Sequence, residues 1–401
     1  MKIAGIIAEY NPLHNGHAYH IQTTKEETKA DFIVVALSGD FIQRGEPACL
    51  SKHHRAYMAL LAGADLVFEI PSTHSCQSAE LYARSGIELF HGLGCVDFIS
   101  FGSESGDLSQ FLSLGKLLAD EAPEYQQQLR AYLKSGLSYP AARQKTLEAL
   151  QCAEETFLSS PNNILGIEYC KAIYRLESNL TPLTIKRAGS GYHDLNFRTE
   201  YPSASGIRNY FQTHHSLAQI QNSFPEEIYS YLLTHNAMLE YLTSEDFSLL
   251  FRWFLFTCET KDLENILDIH ADLARRIIRE RNNYESFSQF VSLLKTKELT
   301  HSRLTRALYH ALLQIKECPP LPYARLLGFR KSASCVLKAA KKNGTLPVIT
   351  KLADAPSYLN TSAQQLLDTN TRISNLYESV LCEKTKKKFV HEYQKELIIL
   401  P

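Results

Sequence analysis

The 401-residue sequence contains no apolar run long enough to cross a bilayer. Its longest, Ile3–Ala8, Ile33–Leu37 and Leu66–Phe68, are the size of buried strands. The stretch after Met1-Lys2 stops at Glu9 without a cleavage-site pattern, so no secretory signal is expected. Nine cysteines (Cys49, Cys76, Cys95, Cys152, Cys170, Cys258, Cys318, Cys335, Cys382) include no CxxC pair. An odd, scattered set argues against a disulfide framework and a zinc ribbon, and fits buried thiols in a reducing cytoplasm. Net charge is nearly absent: 42 Lys and Arg face 43 Asp and Glu. Only the distribution of charge can therefore point to a partner. Repeats and low-complexity tracts are missing too, and the length suits two or three domains.

What is present begins with a βαβα rhythm. Ile3–Ala8, Asp31–Leu37, Leu66–Ile70 and Val96–Phe101 read as strands. Helical patterns cover Gly16–Thr28, Ser51–Ala62 (with Ser51 a plausible N-cap) and Gln77–Phe90. This order predicts an α/β fold, a Rossmann-like parallel sheet with helices on both faces and ligands beyond the carboxyl ends of the strands. Three strands end in small or polar residues that would meet at one edge: Asn11 to His17, Ser38 to Asp40 and Gly102 to Glu104. Residues 108–176 are mainly helical, Leu183–Arg187 is a further strand leading into the loop Ala188–His193, and Ser203–Arg208 starts a helix. A boundary is expected near residue 215. Beyond it the pattern is mainly helical, over Glu226–Leu242, Leu263–Asn282, Ser286–Lys295 and Arg303–Ile315, with one short strand candidate at Leu346–Thr350.

The segment Glu9-Tyr10-Asn11-Pro12-Leu13-His14-Asn15-Gly16-His17 joins the first strand to the first helix. A helix start offers unpaired N–H groups and partial positive charge, a natural phosphate site. Gly16 lets the backbone approach a ligand. His14 and His17, three apart, can project from the first turn toward one point and stabilise charge on a transferring α-phosphate. His20 extends the spacing and makes zinc conceivable, but no cysteine or carboxylate in the turn completes a ligand set, and no metal centre is expected.

NPLHNGH after a first strand resembles the HxGH signature of the nucleotidylyltransferase superfamily. Ser203-x-Ser205-x-Ile207-Arg208 looks like its second phosphate motif, ISSTxxR, with Gly206 where Thr is usual; that weakens a hydroxyl role there but leaves Arg208. In order, GIIAEYNPLHNGH, SGDFIQRGEPA, KHHRAYMALLAGADLVFEIP, FGSE, SPNNILGIEY and KRAGSGYHD together resemble the tRNA(Met) cytidine acetate ligase family along essentially the whole chain. The resemblance implies an HUP-type domain that uses ATP to turn acetate into acetyl-adenylate and pyrophosphate. The acetyl group would then pass to the N4 amine of the wobble cytidine of elongator tRNA(Met). It implies ATP contacts from Ile7, Ala8, Glu9, Tyr10, Asn11, Pro12, Leu13, His14, Asn15, Gly16, His17 and His20, and from Gly102, Asn162, Arg187, Ser203, Ser205 and Arg208, with Mg²⁺ accompanying ATP.

Taken singly, several of these residues have plainer roles. Gly102 could be only a turn, Asn162 a helix cap, and Lys186-Arg187 solvated charge. Asp40, a candidate to orient a donor or hold Mg²⁺, could equally form a turn. Gln43 and Arg44 are candidates for the border of an acetate pocket. The chemistry itself is coherent. The cytidine amine is a poor nucleophile that needs an activated acyl donor, no RxxGxG/A loop for acetyl-CoA is present, and acetate is already ionised at neutral pH.

Residues 325–351 hold seven Lys or Arg and no acid, and residues 275–306 hold eight against Glu280, Glu285 and Glu298. Arg275, Arg276, Arg303, Arg306, Arg330, Lys331, Lys338, Lys341 and Lys342 are therefore the expected tRNA contacts, against the plainer reading of a solvated face. The expected plan is an ATP-binding catalytic domain over residues 1–215 and a mainly helical, basic tRNA-binding region over 216–401. Two alternatives share the motif: a small-molecule adenylyl- or cytidylyltransferase, and a non-catalytic tRNA-binding factor.

Overall fold

The computed structural model describes residues 1–150, 152, 155–187, 203–214, 217–296 and 298–401. The loop Ala188–His193, singled out above, lies outside them. The first strands and helices fall where hydrophobic periodicity put them, with a small hairpin (β3, β4) and a short helix (α3) that it did not: β1 (Ile3–Ala8), α1 (Asn15–Thr28), β2 (Phe32–Ser38), β3 (Phe41–Ile42), β4 (Glu46–Pro47), α2 (Lys52–Leu61), β5 (Leu66–Ile70), α3 (Ser72–Ser75), α4 (Ala79–Leu93) and β6 (Phe98–Ser103). Ser51 does cap α2, its Oγ accepting from His54 N at 3.4 Å. Helices α5 (Leu108–Asp120), α6 (Pro123–Lys134), α7 (Tyr139–Ala149), α8 (Glu155–Ser159) and α9 (Pro161–Arg175) follow, then β7 (Thr181–Lys186) and α10 (Ala204–His214).

β5, β2, β1, β6 and β7 lie side by side in that order and are all parallel. Because side chains alternate along a strand, β2 feeds two cores. Val34 and Ala36 pack with Ile87, Phe90 and Phe111 on the α4/α5/α9 face. Ile33, Val35 and Leu37 pack with Ile21, Ala59 and Ile228 on the other.

Past residue 215 the chain is helical, through α11 (Glu226–Thr234), α12 (Ser248–Thr257), α13 (Thr260–Glu264), α14 (Ala271–Glu280), α15 (Phe287–Leu294) and α16 (His301–Leu313). These helices share a third core built on Phe247, Phe251, Phe290 and Tyr309, into which Phe41 of β3 inserts. The tail then departs from a purely helical plan. β8 (Ala324–Arg330) returns to the sheet and pairs antiparallel with β5, Glu69 opposite Arg325 and Leu66 opposite Phe329. After α17 (Ser334–Asn343), β9 (Val348–Ile349) pairs with the start of β8. After α18 (Thr361–Thr385), β10 (Ile398–Leu400) pairs with its end. The expected boundary near 215 therefore runs through a chain that contributes strands to one sheet from both sides.

A buried charge cluster fastens this return. Lys52 Nζ lies 2.8 Å from Glu69 Oε1, 2.8 Å from Glu392 Oε1 and 3.5 Å from Asp40 Oδ2. Arg325 pairs with the same two glutamates at 2.9 and 2.7 Å. Burial pulls the Lys52 pKa down, but the charges of Glu392, Glu69 and Asp40 together outweigh it and raise its pKa. Removing Lys52 from such a cluster strands its carboxylates and typically costs about 3–5 kcal/mol. Among the described residues no helix is long and apolar enough to cross a membrane.

Candidate active site

The chain leaves β1 through a constrained turn. Tyr10 takes φ +46°, a left-handed conformation that side chains disfavour, and the Asn11–Pro12 bond is cis. Burial holds the turn: Tyr10 is 1% exposed, Leu13 is in the core, and Asn11 Oδ1 accepts from Cys49 N at 2.7 Å. Arg55, wholly buried on α2, donates to four carbonyls, those of Leu50 (2.9 Å), Glu9 (2.7 Å), Ser38 (2.9 Å) and Gly39 (2.5 Å). One guanidinium thus ties together the ends of β1 and β2.

His14 is the N-cap of α1, and the cap is made of two imidazoles. His14 Nδ1 accepts from Gly16 N at 3.1 Å, and His17 Nδ1 accepts from His14 N at 3.3 Å. The ring centroids stack 3.8 Å apart, and the Tyr10 ring meets His17 in an edge-type contact with centroids 5.0 Å apart. A backbone N–H can only donate, so both Nδ1 atoms are unprotonated and each neutral ring carries its proton on Nε2. Burial, then the nearby Arg187 and Arg208, pushes the His14 pKa down to about 3. Burial, then the His14 ring and Arg187, likewise hold His17 well below the usual range. His20, bonded to Ser100 Oγ at 3.0 Å, is lowered to about 4 by burial and Arg187. At neutral pH the helix start therefore presents uncharged N–H donors. A Cβ at Gly16 would sit 3.0 Å from His14 Cε1 and crowd the imidazole.

These groups face a cavity of about 850 Å³ along the carboxyl ends of β1, β6 and β7, within the range of small-molecule sites. Ile7, Ala8, Glu9, Tyr10, Asn11, His14, Gly16, His17 and His20 line it, as do Gly102, Asn162, Arg187, Ser203, Ser205 and Arg208. Arg208 reaches back from α10 to Asn11 O at 2.8 Å and to Ser205 Oγ at 3.2 Å, and Ser203 Oγ accepts from Gly206 N at 3.0 Å. Gly102 lies against Arg187, whose Cγ would be 3.4 Å from an added Cβ. Asn162 does not cap α9; its amide donates to Glu104 Oε1 at 2.7 Å. Gln43 and Arg44 also line the cavity, Gln43 N donating to Glu9 Oε1 at 3.0 Å. Burial raises the Glu9 pKa against that bond and the charge of Arg208.

Four expected residues are not among the cavity's lining. Pro12 and Leu13 are buried beneath the turn, and Asn15 is turned toward Asn222 O at 2.7 Å. Asp40 corrects the expectation of a catalytic carboxylate: it is 3% exposed and is spent on Lys52, accepting from its N at 2.9 Å and facing its ammonium. A strand-end aspartate looks the same in sequence whether it faces solvent or a buried lysine.

The basic residues are divided. Arg306 is also corrected: rather than standing on an open face, it is 9% exposed, lines the cavity and has Nε 3.3 Å from Asp268. Arg275 is exposed and paired with Asp272, Arg276 donates to Leu294 O at 3.1 Å, and Arg303 follows Ser302, which lines the cavity. Lys331, Lys338, Lys341 and Lys342 are exposed on and beside α17. Arg330 donates to Leu60 O at 2.7 Å, and its N to Asp65 O at 2.9 Å puts it and Lys331 at the amino-terminal edge of β5, opposite the cavity edge. Sequence reasoning missed Arg55, which it did not single out, and the wall formed by Tyr139 and Arg143 of α7 and Glu168 of α9.

The HIGH Nucleotidyl Transferase family matches residues 1–392. A tRNA(Met) cytidine acetate ligase of Clostridium novyi is 36% identical over 392 residues, covering 95% of this chain and 96% of that protein. One from Caldicellulosiruptor saccharolyticus is 39% identical over 411 residues, covering 100% and 99%. The crystal structure of apo Thermotoga maritima TmcAL superposes over the full length of both chains with TM-score 0.94 at 27% identity. TmcAL from that organism bound to alpha-thio ATP superposes with TM-score 0.91 at 26% identity, again over both full chains.

Proposed function

This chain belongs to the HIGH nucleotidyl transferase family and groups there with the tRNA(Met) cytidine acetate ligases, and from that premise we propose that it spends ATP to join acetate to the wobble cytidine of elongator tRNA(Met). The observation that carries the reading is the stacked imidazole pair, both Nδ1 atoms engaged, at a helix start on a cavity of nucleotide size.

In the first step an acetate oxygen attacks the α-phosphorus of ATP, the bond to the bridging oxygen breaks and pyrophosphate leaves. His14 and His17 act as neutral Nε2–H donors to the charge that builds on the α-phosphoryl oxygens, a preorganised arrangement needing no proton transfer. Arg187 and Arg208 supply cationic partners for phosphate oxygens. Gln43 and Arg44 border the space for acetate. No general base is required, because acetate is already an anion. In the second step the cytidine N4 attacks the acetyl carbonyl of the adenylate, AMP leaves, and N4 gives up one proton.

Mg²⁺ fits as a cation carried in on the phosphates and their waters. Among the described residues no group of three His, Cys, Asp or Glu side chains gathers to cage an ion. The tRNA lies over the basic residues that follow position 215. Arg303 belongs to α16, whose first turn lines the cavity, and Arg275 and Arg276 to α14, while Lys338, Lys341 and Lys342 of α17 grip a more distant part of the backbone. ATP and tRNA as substrates make this a cytoplasmic reaction.

The test is ATP–pyrophosphate exchange without tRNA. It should depend on acetate, and acetyl transfer should then require tRNA(Met) with cytidine at the wobble position. Exchange indifferent to acetate, or driven by a phosphopantetheine or nicotinate nucleotide, would replace this reading with a small-molecule transferase; absence of any exchange would leave a binding factor.

A further inference from the structure

The two walls of the cavity differ in chemistry. Cations and N–H donors line the side of α1 and α10, where a triphosphate fits. The side made by α7 and α9 carries a carboxylate. Glu168 is 2% exposed and lines the cavity. Its Oε1 accepts from Arg143 Nη1. Its Oε2 is buried and, among the described residues, makes no hydrogen bond. Lys171 Nζ stands 3.7 Å from Oε2 and donates instead to Glu80 Oε1 at 2.7 Å. A buried carboxylate oxygen without a donor is costly, and in a ligand cavity it marks the place of a donor brought by the ligand. Four residues before Arg143 and on the same face of α7, Tyr139 lines the cavity with 47% of its surface exposed. A carboxylate repels polyphosphate and accepts N–H, and an exposed ring takes a flat heterocycle.

We propose that this wall is a subsite for an amine-bearing nucleobase, with Glu168 Oε2 accepting a hydrogen of the exocyclic amine and Tyr139 stacking on the ring. The assignment rests on the ligase reading above. Two bases in that reaction carry such an amine, the acceptor cytosine and the adenine of ATP. The subsite belongs to the cytosine: Tyr139 is open to solvent, as a base still attached to a macromolecule requires, and the buried Glu168 lies inward of it, so the base enters with its amine leading. Uracil would place its O4, an acceptor, against an acceptor. Glu168 is then the residue that tells cytidine from uridine.

The experiment compares wild type, Glu168→Gln and Tyr139→Leu in acetate-dependent ATP–pyrophosphate exchange and in acetyl transfer to a tRNA(Met) transcript. A transcript with uridine at the wobble position serves as inhibitor. Both variants should raise the KM for tRNA about tenfold or more, with the KM for ATP in exchange within twofold of wild type. The uridine transcript should inhibit Glu168→Gln more strongly than wild type, since the amide N–H can donate to O4; a merely structural role would not move this ratio. Tyr139 is half-exposed, so its variant keeps the test alive should Glu168→Gln unfold. A raised KM for ATP in exchange would give the subsite to adenine and overturn the assignment, as would unchanged transfer in both variants. Wild-type protein without acetate-dependent exchange would instead be the failure of the ligase reading, and the assignment would fall with it.

Discussion

Acidification is the sharpest test of the neutral imidazole pair. An ordinary histidine titrates near pH 6.5, so at pH 5.5 only about 9% of such a side chain remains neutral. Two independent ones would both be neutral about 0.8% of the time, a loss of roughly 120-fold if both must be uncharged. Burial holds the His14 pKa at about 3 and keeps His17 well below its usual value, so both rings stay neutral at pH 5.5. The exchange kcat at saturating acetate and ATP should therefore vary by less than about twofold between pH 7.5 and 5.5, a range in which acetate itself stays mostly ionised. Stopped assays of labelled ATP from pyrophosphate at half-unit steps would read this directly. A falling limb centred near pH 6.5 would show that one imidazole is ordinary. A rate that climbs on acidification would show that the site uses imidazolium, and the donor argument would be refuted.

Four further outcomes follow from the same contacts. Asp40→Asn should leave exchange kcat within about threefold while lowering stability by about 1–2 kcal/mol, read by urea denaturation; a loss of hundreds-fold in kcat at unchanged stability would restore Asp40 to the chemistry. Arg55→Met strands four carbonyls and should cost about 3 kcal/mol or more and abolish exchange, whereas a fully active, equally stable variant would deny its hold on the β1 and β2 ends. His74, wholly buried and bonded through Nε2 to Pro319 O at 2.9 Å, has its pKa lowered to about 4 by burial. The unfolded chain therefore takes up a proton that the folded one refuses, and His74 contributes a fall in stability as pH drops below about 6.5 toward 4, about 2 kcal/mol between pH 7 and 5; His74→Gln should remove that share in thermal melts and leave those of His14, His17 and His20. Lys338→Glu with Lys341→Glu should weaken tRNA binding and shallow its salt dependence without touching exchange, while Arg306→Ala should raise the KM for ATP; the reverse pattern would return Arg306 to the RNA face.

The parts of the molecule legible in sequence are those encoded locally. The strand at Ile3–Ala8 and the His14–Gly16–His17 turn sit within fifteen residues of one another, and periodicity plus turn chemistry places them. Asp40 and Arg306 were misplaced because what each faces is decided far away, by Lys52 and by Asp268. Arg55 reads as one more charge in Lys52-His53-His54-Arg55, yet four carbonyls bury it. β8 escaped notice for a related reason: Arg325 and Arg330 flank its apolar residues, and its partner β5 lies more than 250 residues earlier. Glu168 falls on an ordinary helical pattern, and only the folded cavity reveals its unsatisfied oxygen.

The antiparallel strand against β5 also carries a consequence for biosynthesis. A ribosome that has delivered 215 residues has made the His14–His17 turn and five parallel strands, but the outer rim of β5 still offers its peptide groups to any passing strand. That rim is closed more than a hundred residues later, and the seal is complete when Glu392 meets Lys52 and Arg325. A nascent or truncated product therefore holds the His14–His17 turn on an unfinished sheet, and the last part of the chain doubles as the chaperone of the first.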